Sequence, residues 1–220
     1  VPFAPYPEMT GDMVPTMRQQ CGYGPEDVDL VFATHMHFDH IGWHVTRVGG
    51  VPPATFPNAR YVVPKADWDF ILDPTLPTKG SHAHDFSQYA ADVFDLSRPV
   101  ADDLRQVVDV QTVTGDHSLT DEIVTVDTPG HTPGHQSLMI SSGGERVFLM
   151  GDVIHLPVQL EVPERVMSAD IHPQLGVKTR TETVEWMEKE GLLTLVGHFP
   201  APGIGHIVRG EGKRYWMGLY

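Results

Sequence analysis

The whole chain contains one cysteine, Cys21. That excludes an intrachain disulfide framework and a structural metal site built on thiolates. Any metal must be held by imidazole and carboxylate. Long apolar runs are also missing. No stretch approaches the ~18 residues that a membrane-spanning helix needs, so no membrane partner is expected. Basic residues are scarce, 15 Lys+Arg against 29 Asp+Glu, and the formal net charge is -14. Nucleic acid and anionic membrane both select basic surfaces, so neither is an expected partner. No signal peptide is visible, which points to a cytoplasmic protein. The first residue is Val1 rather than Met, so a leader removed ahead of it is the alternative.

What the chain does have is histidine. Four histidines and one aspartate fall in "ATHMHFDHIGWH", residues 33–44, and His35, His37, Asp39 and His40 fall within six positions. The run "VDLVFAT" (28–34) ahead of them is rich in β-branched residues and reads as a buried strand. On an extended segment, alternate residues share a face, so His35 and His37 can point the same way. After a turn, Asp39 and His40 can serve a second position. Neutral imidazole and carboxylate are the ligands that zinc-like ions take, and strand ends are where sites are carried. One compact loop can therefore feed two metals.

A loop alone does not close a two-metal site. Three later apolar runs end in suitable residues: "DTPGHTPGHQS" with His131 and His135, "LMGDVIH" with Asp152 and His155, and "LVGHFPAPGIGH" with His198 and His206. Spacing alone does not choose between His131 and His135. Asp152 after Gly151 also has an ordinary reading, that of a turn aspartate.

Short β-rich runs alternate with amphipathic stretches, the pattern of a layered α/β or α+β domain, and 220 residues suffice for one such domain with a buried core. Strands are expected at 28–34, 59–64, 122–130, 137–142, 146–152 and 192–198, with a hairpin at Gly143-Gly144-Glu145. Helices are expected at 65–73 and 82–94, joined by a Pro-rich link, and at 178–190, where Val184 and Met187 share a face and Gly191 marks the stop. Trp43, Trp68 and Phe70 either line a pocket or pack. "SHAHD" (81–85) repeats a His-x-His pattern without a strand ahead of it and is read as a decoy, and His117 is read as a turn residue.

The series "THMHFDH", "TPGHTPGH", "GD" and a late "GH", in this order, resembles the metallo-β-lactamase-fold hydrolases over roughly residues 25–210. "FPNARYVV", "GDVIHLPVQL" and "HFPAPGIGHI" are similar to the branch holding methyl parathion hydrolases, dihydrocoumarin lactonases and N-acyl homoserine lactone lactonases. The resemblance implies an α+β, four-layer αβ/βα sandwich, a single domain over 1–220, with a helical insertion at about 65–105 walling the substrate pocket. It implies two divalent metals, zinc first, with manganese, iron or cobalt as alternatives. His35, His37 and His135 would hold one, Asp39, His40 and His198 the other, and Asp152 would bridge. The second histidine of "GHTPGH" is taken as the ligand, which leaves His131 to pack the loop or support a ligand, and His198 is preferred to His206. Metals in this arrangement lower the pKa of a shared water towards neutrality.

Asp39 would also orient the nucleophile or carry its proton. His155 stands where acyl-homoserine lactonases of this fold carry a substrate-contacting tyrosine, so it is a catalytic candidate. His44 has no assigned role. The implied substrate is a small lactone, aryl ester or phosphotriester. Glyoxalase II-like thiolesterase, β-lactamase and mononuclear-iron persulfide dioxygenase are the competing activities. Members of the family carry strands and a "VDTG"-like strand end before the helix that precedes the histidine loop. Only about 30 residues precede His35 and no such strand is seen among them. The outer strands are expected ahead of Val1, with completion by a partner chain in a homodimer as the alternative, because an uncovered sheet edge invites pairing.

Overall fold

The structure is a computed structural model that describes residues 2–3, 6–10, 12–46, 53–75 and 88–219. The decoy motif at 81–85, and residues 82–87 of the second expected helix, lie outside the described residues. The chain forms two compact units, Val1–Val63 with Trp68–Val113, and Pro64–Asp67 with Thr114–Tyr220.

In the first unit, β1 (Pro2–Phe3) and β2 (Tyr6–Thr10) pair antiparallel with each other. The sequence pattern shows no strand here, because the segment is short and broken by prolines. Helix α1 (Met13–Cys21) follows and ends on Gly22. A three-stranded sheet has the order β3 (Leu30–Phe32), β4 (Arg60–Pro64), β5 (Val110–Val113). Strand β4 lies in the middle, parallel to β3, and its residues Tyr61, Val62 and Val63 are all buried. That is why its sequence is a continuous apolar run rather than an alternating one. Strand β3 runs directly into the short helix α2 (Phe38–Ile41), whose Ile41 is buried. Helix α3 (Lys65–Leu72) starts at the proline that ends β4. Helix α4 (Gln88–Val107) is much longer than the expected 82–94, and buries Val100, Ala101 and Leu104 along one stripe. Strand β5 was not expected.

The second unit is built on a six-stranded mixed sheet in the order β11 (Lys213–Gly218), β10 (Ile204–Gly210), β9 (Leu193–Leu195), β8 (Glu145–Leu149), β7 (Gln136–Ser142), β6 (Ile123–Asp127). Strands β8 and β9 are parallel, and the other pairs are antiparallel. The expected hairpin joins β7 to β8 through Gly143 and Gly144. The β10–β11 hairpin was not expected. Helix α5 (Pro173–Glu190) packs on this sheet and stops at Gly191 as the sequence indicates, but begins five residues earlier than expected. Val184 and Met187 join a core with Phe148, Met150, Leu160, Val196 and Phe199. Strand ends β6, β8 and β9 all empty into loops that carry the candidate ligands.

Among the described residues no helix is long and apolar enough to cross a membrane.

Candidate metal centre

The first unit presents its candidate ligands on the β3–α2 turn. His37 is the residue before the helix, and the amides of His40 and Ile41 both donate to its carbonyl at 3.0 and 3.1 Å. This tight turn stacks the side chains. The His35 and His37 rings meet edge to face with centroids 4.7 Å apart, and His35 and His40 lie 4.1 Å apart. His35 and His37 are buried, and the Thr34 hydroxyl lies 3.0 Å from His35 Nδ1. Asp39 and His40 are more exposed, with carboxylate and Nε2 3.6 Å apart. All four predicted residues of this motif are therefore brought together by six consecutive positions.

His44 is different. It is buried, its ring packs edge-on against Tyr61 at 5.5 Å, and its Nδ1 has no hydrogen-bond partner among the described residues. The Tyr61 hydroxyl donates to the His44 carbonyl at 3.2 Å. Desolvation pushes the His44 pKa down to about 4, so the ring is a neutral core residue.

In the second unit the centre is Asp152, on the loop after β8 and buried. Three imidazole nitrogens surround its Oδ2: His155 Nε2 at 3.1 Å, His198 Nε2 at 3.1 Å and His131 Nε2 at 3.5 Å. The ligand atoms of His131, Asp152 and His155 lie within 4.8 Å of one another. His155 and His198 stack with centroids 5.1 Å apart. Gln159 fixes the turn, because its Oε1 accepts from the amides of His155 and Leu156 at 2.8 and 3.0 Å. Three imidazole nitrogens converging on one carboxylate oxygen make a donor set suited to a divalent cation.

The two histidines of "GHTPGH" are held differently. His131 turns its Nε2 towards the Asp152 carboxylate, whereas His135 turns its Nε2 towards the Asp152 backbone amide. His135 Nε2 accepts the Asp152 amide proton at 2.9 Å, so the ring proton sits on Nδ1, which donates to Thr128 through its Oγ1 at 2.9 Å and carbonyl at 3.1 Å. A neutral imidazole has one lone pair, and here it is used. His131 is arranged the other way. Its Nδ1 lies 2.8 Å from Asp170 Oδ1, an acceptor, so Nδ1 carries the proton and the Nε2 lone pair faces the cluster. Burial lowers the His131 pKa, which keeps the ring neutral.

The loop holding both histidines is tightly supported. Gly130 has a φ of +135°, and a Cβ there would come within 2.4 Å of the Gly176 backbone on α5. Asp67 accepts from the Gly134 amide at 2.5 Å and the Thr132 hydroxyl at 2.7 Å. A side chain at residue 134 would collide with Asp67, which explains that glycine. Asp67, Thr128, Gln159, Asp170 and Arg180 were all missed by sequence reasoning. None lies in a ligand-spacing motif, and Asp67 is 65 residues from Thr132. His206 is on β10 opposite Met217, and His117 lies in the turn before β6, as expected.

These features define a class. Residues 10–180 match the metallo-beta-lactamase superfamily, and the chain belongs to that family. It has the α+β fold of the family, with helices and mixed sheets. The chain is 24% identical over 194 residues to an N-acyl homoserine lactonase of Bacillus cereus, covering 87% of this chain and 64% of that protein. The chain thus spans a little under two thirds of that relative. The solved structure of AidC, described as a dizinc quorum-quenching lactonase in complex with a product, superposes with a TM-score of 0.81 at 21% identity, over 97% of this chain and 71% of that one. The structure of AbOPH, described as a hydrolase in the beta lactamase superfamily, gives 0.77 at 28% identity, over 96% and 70%.

Proposed function

We propose that this chain is the catalytic part of a binuclear metal-dependent hydrolase that opens small lactones, with N-acyl homoserine lactones as the first substrate class and quorum quenching as the corresponding role. The observation that carries the reading is the convergence of His131, His155 and His198 on Asp152 Oδ2. The motif order and the family membership support pairing Asp152, His131 and His198 of that cluster with His35, His37, Asp39 and His40 as the ligands of two divalent ions, zinc first. His131 takes the place first given to His135. Bound metals would supply a Lewis acid and a hydroxide nucleophile at neutral pH.

The chain's own groups do the rest. Asp39, exposed at the start of α2, would orient the nucleophile and pass its proton. His155, whose backbone is fixed by Gln159, offers an imidazole to the substrate oxygen. An imidazole in place of a tyrosine also suits the oxygen of an aryl ester or phosphotriester, which is the second reading. Zinc analysis with a hydrolysis panel tests both. The panel holds acyl-homoserine lactones, aryl esters, phosphotriesters, a β-lactam and a glutathione thioester. Two metals per chain and lactone turnover are expected. One iron and no hydrolysis would overturn the reading.

A further inference from the structure

We propose that Asp170, anchored by Arg180, is the positioning residue that fixes the tautomer and direction of His131, and so makes helix α5 part of the metal centre. The inference rests on the metal-binding reading above. Its observations lie behind the cluster. Arg180 is on α5 and is almost wholly buried, with 1% of its surface exposed. Its Nε donates to the Val153 carbonyl at 2.8 Å, and its Nη1 to the carbonyls of Pro163 and Arg165 at 2.6 and 3.1 Å. One guanidinium thereby pins both ends of the strap that runs from Asp152 to Asp170. Its Nη2 reaches Asp170 Oδ2 at 3.4 Å, and the Met167 amide donates to the same oxygen at 2.9 Å.

The other oxygen of Asp170 is left for His131. The backbone adds two bonds: Ile171 N–H donates to the His131 carbonyl and His172 N–H to that of Gly130, both at 2.9 Å. A buried carboxylate and a buried guanidinium are costly alone and tolerated as a hydrogen-bonded pair. Removal of either leaves the other exposed to that penalty. The product of this construction is a histidine held by a negative acceptor on Nδ1. Only its Nε2 lone pair can then face Asp152, and the carboxylate makes the ring a better donor.

The test uses zinc-loaded protein, ¹⁵N-labelled at histidine, with zinc affinity measured by chelator competition. His131 is expected to show an exchange-protected Nδ1 proton and metal on Nε2. Asp170→Asn keeps the shape and loses the charge. It is expected to weaken zinc binding about 10–100-fold and to lose or broaden that proton. Arg180→Lys keeps the charge but reaches fewer carbonyls, and is expected to show a smaller loss of the same kind. Val184→Ala, a destabilising change in the core under α5, is expected to lower the melting temperature without touching either readout. A proton on His131 Nε2 in the wild type overturns the inference without any variant. So does a folded Asp170→Asn protein with wild-type affinity and an unchanged resonance. Wild-type protein that binds no zinc sinks the metal-binding reading and this inference together, whereas failure of the variants alone sinks only the inference.

Discussion

Among the described residues, six consecutive ones, His35 to His40, supply the candidate ligands of the first unit, whereas the second unit gathers His131, Asp152, His155 and His198 from three separate strand ends. The first cluster is set by one tight turn, whose amides bond within the motif itself. The second is set by strand register and by supports far away in sequence: Asp170 behind His131, Gln159 behind His155, Asp67 beneath the loop. A contiguous site is thus vulnerable mainly at its ligands. An assembled site is vulnerable at ligands and at residues that never meet a metal.

The largest effect should come from the hub of the assembled cluster. Asp152→Ala removes the oxygen on which three imidazoles converge. Turnover of the best substrate is expected to fall by several kcal/mol in transition-state terms, at least about a hundredfold, with metal content falling alongside. Steady-state kinetics and metal analysis check this together. Full activity with two bound metals would remove Asp152 from the centre.

Next comes the pair four residues apart in one loop. His131→Ala should lose metal affinity by more than the roughly 10–100-fold seen for outer partners, because its Nε2 faces the Asp152 carboxylate. His135→Ala should retain metal far better and lose folding stability instead, about 1–3 kcal/mol, since the Asp152 amide loses its buried acceptor. Chelator competition and urea unfolding on both variants separate the two. If His135→Ala were the one that sheds metal while His131→Ala kept it, the lone-pair argument would be wrong.

That pair also shows what was legible in the sequence. The His-x-His-x-Asp-His run reveals itself because ligand spacing and local structure coincide over six residues. Asp152 and His198 were legible because each directly follows an apolar run. His131 and His135 both satisfy the same spacing rule, and what separates them is a hydrogen-bond direction set by Thr128, the Asp152 amide and Asp170. No local pattern records that. The fold divides likewise. Strongly apolar runs such as β4, β7 and β8 were visible, as was the Val184–Met187 face of α5. The β10–β11 hairpin was hidden, although β11 alternates half-buried and exposed residues along its length, because its charged turn and flanking arginines dilute the apolar signal.

The smallest expected effect concerns the histidine at which the ligand run ends. His44 lies four residues past His40 and is held neutral in the core of the first unit, its pKa lowered from 6.5 to about 4 by desolvation. Its folded value is below its unfolded value, so the unfolded chain binds more protons in the window between them. Stability is retained above pH 6.5 and lost as pH falls towards 4, by about 2 kcal/mol at pH 5 from this one group. His44→Leu should remove that part of the slope. Urea midpoints at pH 7 and pH 5 are the measurement, with the loss between them smaller in the variant than in the wild type. Equal losses would mean that His44 takes up its proton without unfolding the core.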